Sequence, residues 1–169
     1  MAKPSEITLL FFIVCISSSF SFAQELTPNK FTVVGHVYCD TCRVEHETKL
    51  SEPIIGATVK LVCNNQTDNT PIFQTPEITT GAKGEFRIHA PGEYENSACD
   101  VNLMKSPRQD CSEPVESLSK SRVVLTTNNA AKEGVTSIIT CANNLGFKRK
   151  EALPECKQAL PELKKEAAP

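Results

Sequence analysis

The stretch Phe31-Thr32-Val33-Val34-Gly35-His36-Val37-Tyr38-Cys39 decides how the chain is to be read. Phe31, Val33, Val37 and Cys39 fall on one face at period two, and Thr32, His36 and Tyr38 fall on the other, the pattern of a half-buried strand. Ala57-Thr58-Val59-Lys60-Leu61-Val62-Cys63 alternates equally well, with Ala57, Val59, Leu61 and Cys63 as its inward set. Shorter runs follow at Ile72-Phe73-Gln74 with Ile78-Thr79, at Glu85-Phe86-Arg87-Ile88-His89, and at Cys99-Asp100-Val101-Asn102-Leu103-Met104. Two more occur at Ser121-Arg122-Val123-Val124-Leu125-Thr126 and at Val135-Thr136-Ser137-Ile138-Ile139-Thr140-Cys141. Pro76 marks the Ile72–Thr79 run as an edge strand, because proline donates no ladder hydrogen bond. Residues 64–71 and 81–84 read as turns, 105–120 as irregular, and 128–134 as a hairpin-like loop. About seven short strands with Gly, Pro and Asn between them predict an all-β, antiparallel sandwich or barrel. From residue 148 the chain turns rich in Lys, Glu and Ala, broken by Pro154 and Pro161, and predicts an irregular or briefly helical tail.

Upstream, the apolar run Leu9-Leu10-Phe11-Phe12-Ile13-Val14-Cys15-Ile16 is too short to span a bilayer, and Ser21-Phe22-Ala23 matches the small-x-small pattern of signal peptidase sites. The expectation is a signal peptide at residues 1–23 and a single mature domain at 24–169, with no membrane insertion and no lipid anchor. The 169-residue chain carries a net charge of -2, which gives no broad field for nucleic acid.

Eight cysteines are many for this length and point to an oxidising compartment or a metal site. Loss of Cys15 with the signal peptide leaves seven: Cys39, Cys42, Cys63, Cys99, Cys111, Cys141 and Cys156. Three disulfides with one thiol left over is the simplest arrangement, and six cysteines allow fifteen pairings that spacing does not resolve. Cys39-Asp40-Thr41-Cys42 would need a second ligand pair to be a zinc site, although His36 and His46 lie close by in sequence. As a redox pair it would need a helix N-terminus. It closes a strand instead, so each cysteine is expected to bond a distant partner, with no metal or cofactor bound.

The chain has no GxSxG, HExxH or Walker-type loop, and His46 and His89 read as solvated. No catalytic residue is therefore assigned. Asn65-Gln66-Thr67 is a glycosylation sequon in a turn, and Asn65 is expected to carry a glycan.

Gly35-His36-Val37-Tyr38-Cys39-Asp40-Thr41-Cys42-Arg43 resembles the signature of the plant Ole e 1-like family, and the likeness runs over about residues 31–163. It includes Ile55-Gly56-Ala57 and the run Leu145-Gly146-Phe147-Lys148-Arg149-Lys150 that leads to Cys156. Val34 departs from the polar residue usual at its position. The resemblance implies the pairs Cys39–Cys111, Cys42–Cys156 and Cys63–Cys99. Cys141 has no counterpart there and reads as a buried, inert small hydrophobe, with an intermolecular bridge, and so a Cys141-linked dimer of a monomeric chain, as the sharper alternative.

The resemblance also implies a secreted, non-enzymatic extracellular glycoprotein. It would act as a wall-associated or receptor-interacting module in growing tissue, on a receptor-kinase ectodomain or a cell-wall polymer. Residues 64–71, 93–98 and 105–120 are the candidate recognition loops. The alternative is a carbohydrate-binding wall component, for which the absence of tryptophan and the presence of only two tyrosines, Tyr38 and Tyr94, leave little to stack on sugars.

Overall fold

The computed structural model describes residues 31–126 and 137–157. The long alternating run at the start becomes β1 (Phe31–Asp40), the centre of one sheet. The strands that follow are β2 (Glu52–Pro53), β3 (Thr58–Asn65), β4 (Pro71–Gln74), β5 (Ile78–Thr79) and β6 (Glu85–Ala90). After them come β7 (Ser97–Lys105), β8 (Cys111–Pro114), a single 3-10 turn (Glu116–Leu118), β9 (Lys120–Val123), β10 (Ile138–Cys141) and β11 (Leu145–Arg149).

In the first sheet β6 runs antiparallel to the opening half of β1 and β2 to its end. On the other side of β1, β10 pairs with residues 31–34 and β11 with residues 37–40, both parallel, and β8 closes the sheet against β11. β10 and β11 act as one strand with an irregularity between them. The register to β1 advances by one residue from Val34↔Cys141 to Val37↔Leu145, and Ala142 N–H still donates to Val34 O at 2.8 Å. The second sheet runs β4-β3-β7-β9, with β5 beside β3.

Two expectations therefore change. Among the described residues there are eleven strands rather than about seven, and the central sheet is mixed rather than antiparallel. Strands of two to five residues show no alternation long enough to read, and parallel pairing between residues a hundred positions apart leaves no local trace. Residues 105–120 hold β8, the 3-10 turn and the start of β9. β9 and β10 lie in different sheets and form no hairpin. Their connection at 128–134, the signal peptide and the tail beyond residue 157 lie outside the described residues.

The two inner faces meet in one core. Phe31, Val33, Val37 and Cys39 of β1 and Ala57, Val59, Leu61 and Cys63 on and before β3 are all fully buried. Gly35 continues the inward row of β1, and the Phe86 ring fills the space a side chain would take: a Cβ at Gly35 would stand 2.3 Å from Phe86 Cζ.

Tyr38, expected on the outer face, is buried all the same. Its ring packs on its in-register neighbour Gly146, whose absent Cβ would lie 3.0 Å from Tyr38 Cζ. Burial, with Asp40 and Glu47 adding, holds the phenol well above its ordinary pKa.

The edge opposite β3 shows how the break at Pro76 is tolerated. Where β4 ends and β5 has not begun, the buried Thr75 hydroxyl accepts from Leu61 N–H at 3.1 Å. Past β5, the Thr80 hydroxyl accepts from Ala57 N–H at 3.0 Å and donates to Ile54 O at 2.5 Å. Side-chain oxygens thus replace the missing ladder for backbone groups that would otherwise be buried unpaired.

Candidate functional site

The Cys39-Asp40-Thr41-Cys42-Arg43 segment has the densest chemistry in the sequence, and all of it is committed to holding the chain. Cys39 is bonded to Cys111 and Cys42 to Cys156, across 72 and 114 residues. The Asp40 carboxylate is buried and accepts from Val44 N–H at 3.2 Å and Glu45 N–H at 2.8 Å, which turns the chain back on itself. Thr41 Oγ1 donates to Leu50 O at 2.8 Å, and Leu153 N–H donates to Thr41 O at 3.0 Å. Val44, Leu50 and Leu153 pack around the Cys42–Cys156 bridge as a small satellite core.

Arg43 and Glu45 both adopt positive φ, near 60°. That backbone aims their side chains across the end of the sheet. Arg43 makes a two-pronged pair with Glu113 at 2.7 and 2.9 Å and also donates to the carbonyl of Arg149. Glu45 accepts from Lys148 Nζ at 2.5 Å and from Ser117 Oγ at 3.1 Å. These contacts hold the Glu45 and Glu113 carboxyls below their ordinary pKa, the hydrogen bond from Lys148 leading for the first and that from Arg43 for the second. Sequence reasoning passed over Asp40 and Arg43; the available signal was a short carboxylate placed just before a run of free N–H groups.

Among the described residues, no three His, Cys, Asp or Glu side chains converge as metal ligands. His36 faces Glu47 at 3.6 Å, while His46 contacts Val44 O through Nδ1 and keeps Nε2 buried with no partner among the described residues. His46 is therefore half-buried rather than solvated; His89 is exposed, with Nδ1 3.2 Å from Thr32 Oγ1. A concavity of about 360 Å³ opens beside β1, β5 and β6, lined by Val34, Ile78, Thr79, Glu85, Phe86 and Arg87 among others, and no cysteine, serine or histidine is among its described lining residues.

Cys63 and Cys99 are bonded within the core, directly opposite each other on β3 and β7. Cys141 is a free thiol at the end of β10, and it is exposed. The reading of a buried, inert residue is thus corrected: β10 alternates with Ile139 and Cys141 outward, and the core lies on its other face.

The three candidate loops do not share one surface. Residues 64–71 and 93–98 meet at one end, where Gln66 N–H donates to Asn96 O at 3.2 Å and Phe73 packs on Tyr94 with centroids 5.3 Å apart. Residues 105–120 reach the opposite end, where Arg108 pairs with Glu52 and Asp110 beside β2. Asn65 closes β3 half-buried, its Oδ1 accepting from Thr67 N–H at 2.8 Å, and residues 66–70 are exposed. No helix among the described residues is long and apolar enough to cross a membrane.

The family model described as "Pollen protein Ole e 1 like" matches residues 29–164. The anther-specific protein LAT52 of Solanum lycopersicum is 41% identical over 150 residues, covering 89% of this chain and 89% of that protein. Pollen allergen Che a 1 of Chenopodium album is 42% identical over 166 residues, covering 96% and 95%. The crystal structure of the major plantain pollen allergen Pla l 1 matches with a TM-score of 0.62 at 30% identity, over 75% of this chain and 98% of that one.

Proposed function

This chain belongs to the Ole e 1-like family of pollen proteins, and from that premise we propose that it is a secreted, non-enzymatic glycoprotein that works by presenting surface to an extracellular partner. One observation carries the reading. Cys39, Cys42 and Arg43 of the family signature tie the end of β1 to β8, β11 and the C-terminal segment, and Asp40 shapes the turn between them, so this chemistry serves rigidity and leaves recognition to the surface. Three disulfides fit an oxidising compartment.

The receptor-facing surface is assigned to the end that bears residues 64–71 and 93–98. Its exposed polar tips stand on strands bridged by Cys63–Cys99, which fixes their relative position at little entropic cost on binding. Asn65 carries its glycan at the same end. The rival reading, sugar recognition by stacking, finds Tyr38 and Tyr94 both buried.

The test is capture of receptor-kinase ectodomains from growing tissue by the mature chain, its Asn65→Gln form, and a Gln66→Ala/Asp68→Ala/Asn96→Ala triple variant. The expected result is a saturable partner lost with the triple variant while circular dichroism stays unchanged. Retention of that partner by the triple variant would place the contact elsewhere. A mass unchanged by N-glycosidase would remove the glycan.

A further inference from the structure

The net charge of -2 hides an uneven distribution. At the end of the first sheet charges are paired off, as in Arg43–Glu113 and Lys148–Glu45. The outer face of the second sheet is different. Alternation buries Val59, Leu61, Cys63, Ser121 and Val123 and leaves Lys60, Lys120 and Arg122 on the other side.

Pairing in register sets these residues in two adjacent rows across three strands. One row is Lys60–Asn102–Lys120 and the next is Val62–Asp100–Arg122, with Lys105 opposite Thr58 beyond them. Asp100 is the only carboxylate in these rows, and it is shared. Arg122 Nε lies 2.6 Å from it and Lys120 Nζ 3.0 Å, yet both cations remain more than half exposed, at 59% and 53%. Lys60 and Lys105 have no ion pair among the described residues.

We propose that this face binds a linear polyuronate, a polysaccharide that carries a carboxylate on each sugar. A sheet two strand-spacings wide holds its cations at fixed points about 10 Å apart across the strands and about 7 Å apart along them. Cations rooted at regular intervals on one sheet face suit a stiff chain of carboxylates. A bilayer surface would instead favour aromatic anchors. This face has none: Phe73 turns inward against the core and Tyr94 is buried. Recognition by charge also answers the shortage of stacking aromatics. The polymer's presence around the protein rests on the extracellular reading above, but the chemistry rests on this face alone. It needs no contribution from the loops assigned to a receptor.

The test uses the mature chain with its disulfides intact and unesterified polygalacturonate as the probe, in titrations from low to moderate salt. Binding is expected to weaken linearly on a log–log salt plot, as counterion release requires. Lys60→Gln/Lys105→Gln/Lys120→Gln should lose roughly tenfold or more and flatten that slope, since three exposed ion pairs are removed. The charge-matched Lys83→Gln/Arg87→Gln/Lys150→Gln control and the Gln66/Asp68/Asn96 variant should bind like the parent.

Equal losses in the face variant and the charge-matched control would overturn the proposal, as would equal binding to fully methyl-esterified pectin. Tighter binding to anionic phospholipid vesicles or to DNA than to the uronate would overturn the assignment of partner. Failure to capture a receptor leaves this result untouched, and the converse holds, so the two readings fail separately.

Discussion

Replacing Thr80 with valine removes one hydroxyl and nearly preserves the side chain's shape. Thr80 is 5% exposed, and its oxygen serves both Ala57 N–H and Ile54 O at a place where no strand lies opposite. The substitution strands one buried donor and one buried acceptor. At about 1–3 kcal/mol for each of the two unsatisfied groups, less about 0.8 kcal/mol regained by the extra buried methyl, the expected loss is roughly 1–5 kcal/mol. For a chain of this length that is a fall in Tm of about 2–20 °C.

Thr58 supplies the comparison. Its hydroxyl is buried with no partner among the described residues, so Thr58→Val discards an unsatisfied group. That change should leave stability unaltered or raise it by up to about 1 kcal/mol. Both variants should be followed by urea unfolding with the disulfides intact. The chain has no tryptophan, so the signal is far-ultraviolet circular dichroism. A Thr80→Val protein within about 0.5 kcal/mol of the parent, or a Thr58→Val protein that loses as much as Thr80→Val, would refute the view that side-chain oxygens stand in for the missing edge strand.

Cys42→Ser/Cys156→Ser opens a span of 114 residues and should cost up to about 5 kcal/mol by loop entropy; limited proteolysis should then cut first near residues 150–157, and an unchanged cleavage pattern would argue that the satellite core holds without the bridge. Carboxylates such as Glu45 and Glu113 have folded pKa values below their unfolded ones. Their contribution is present above the ordinary glutamate range and fades as pH falls through the lowered values. NMR titration should place the Glu113 carboxyl below the ordinary glutamate range, and Arg43→Gln should return it there. Cys141 should react with one equivalent of a thiol reagent in the absence of denaturant, and Cys141→Ser should abolish the reaction. Silence of the parent would contradict its exposure.

What could be read directly from the residues was whatever repeats at short range. The inward sets of β1 and β3 stand where period two puts them. Pro76 falls in the gap between the two short edge strands β4 and β5. Tyr38 escaped because its burial depends on Gly146, a residue that alternation alone does not connect to it. β8 and β11 escaped because four or five residues carry too few alternations to declare a strand. Cys141 is outward although free cysteine usually packs as a small hydrophobe, because the run Ile138-Ile139 does not say which face is inward when the partner strand lies a hundred residues away. The basic face was invisible in the total charge, which sets 18 basic against 20 acidic residues without regard to the face that carries them.

The parallel seam between β1 and the β10–β11 pair has a consequence for how the protein is made. β1 is among the first parts of the domain to emerge from the ribosome, but its partners end at Arg149. The central sheet therefore stays open until the chain has been made at least as far as Arg149, and such long-range closure is slow. Cys39 and Cys42, separated by two residues, wait for partners that arrive one after the other, Cys111 first and Cys156 only after β11 has been made. A transient Cys39–Cys42 link is the nearest wrong answer available to an oxidant. The protein's yield should thus depend on disulfide isomerase more steeply than its three bridges alone would imply.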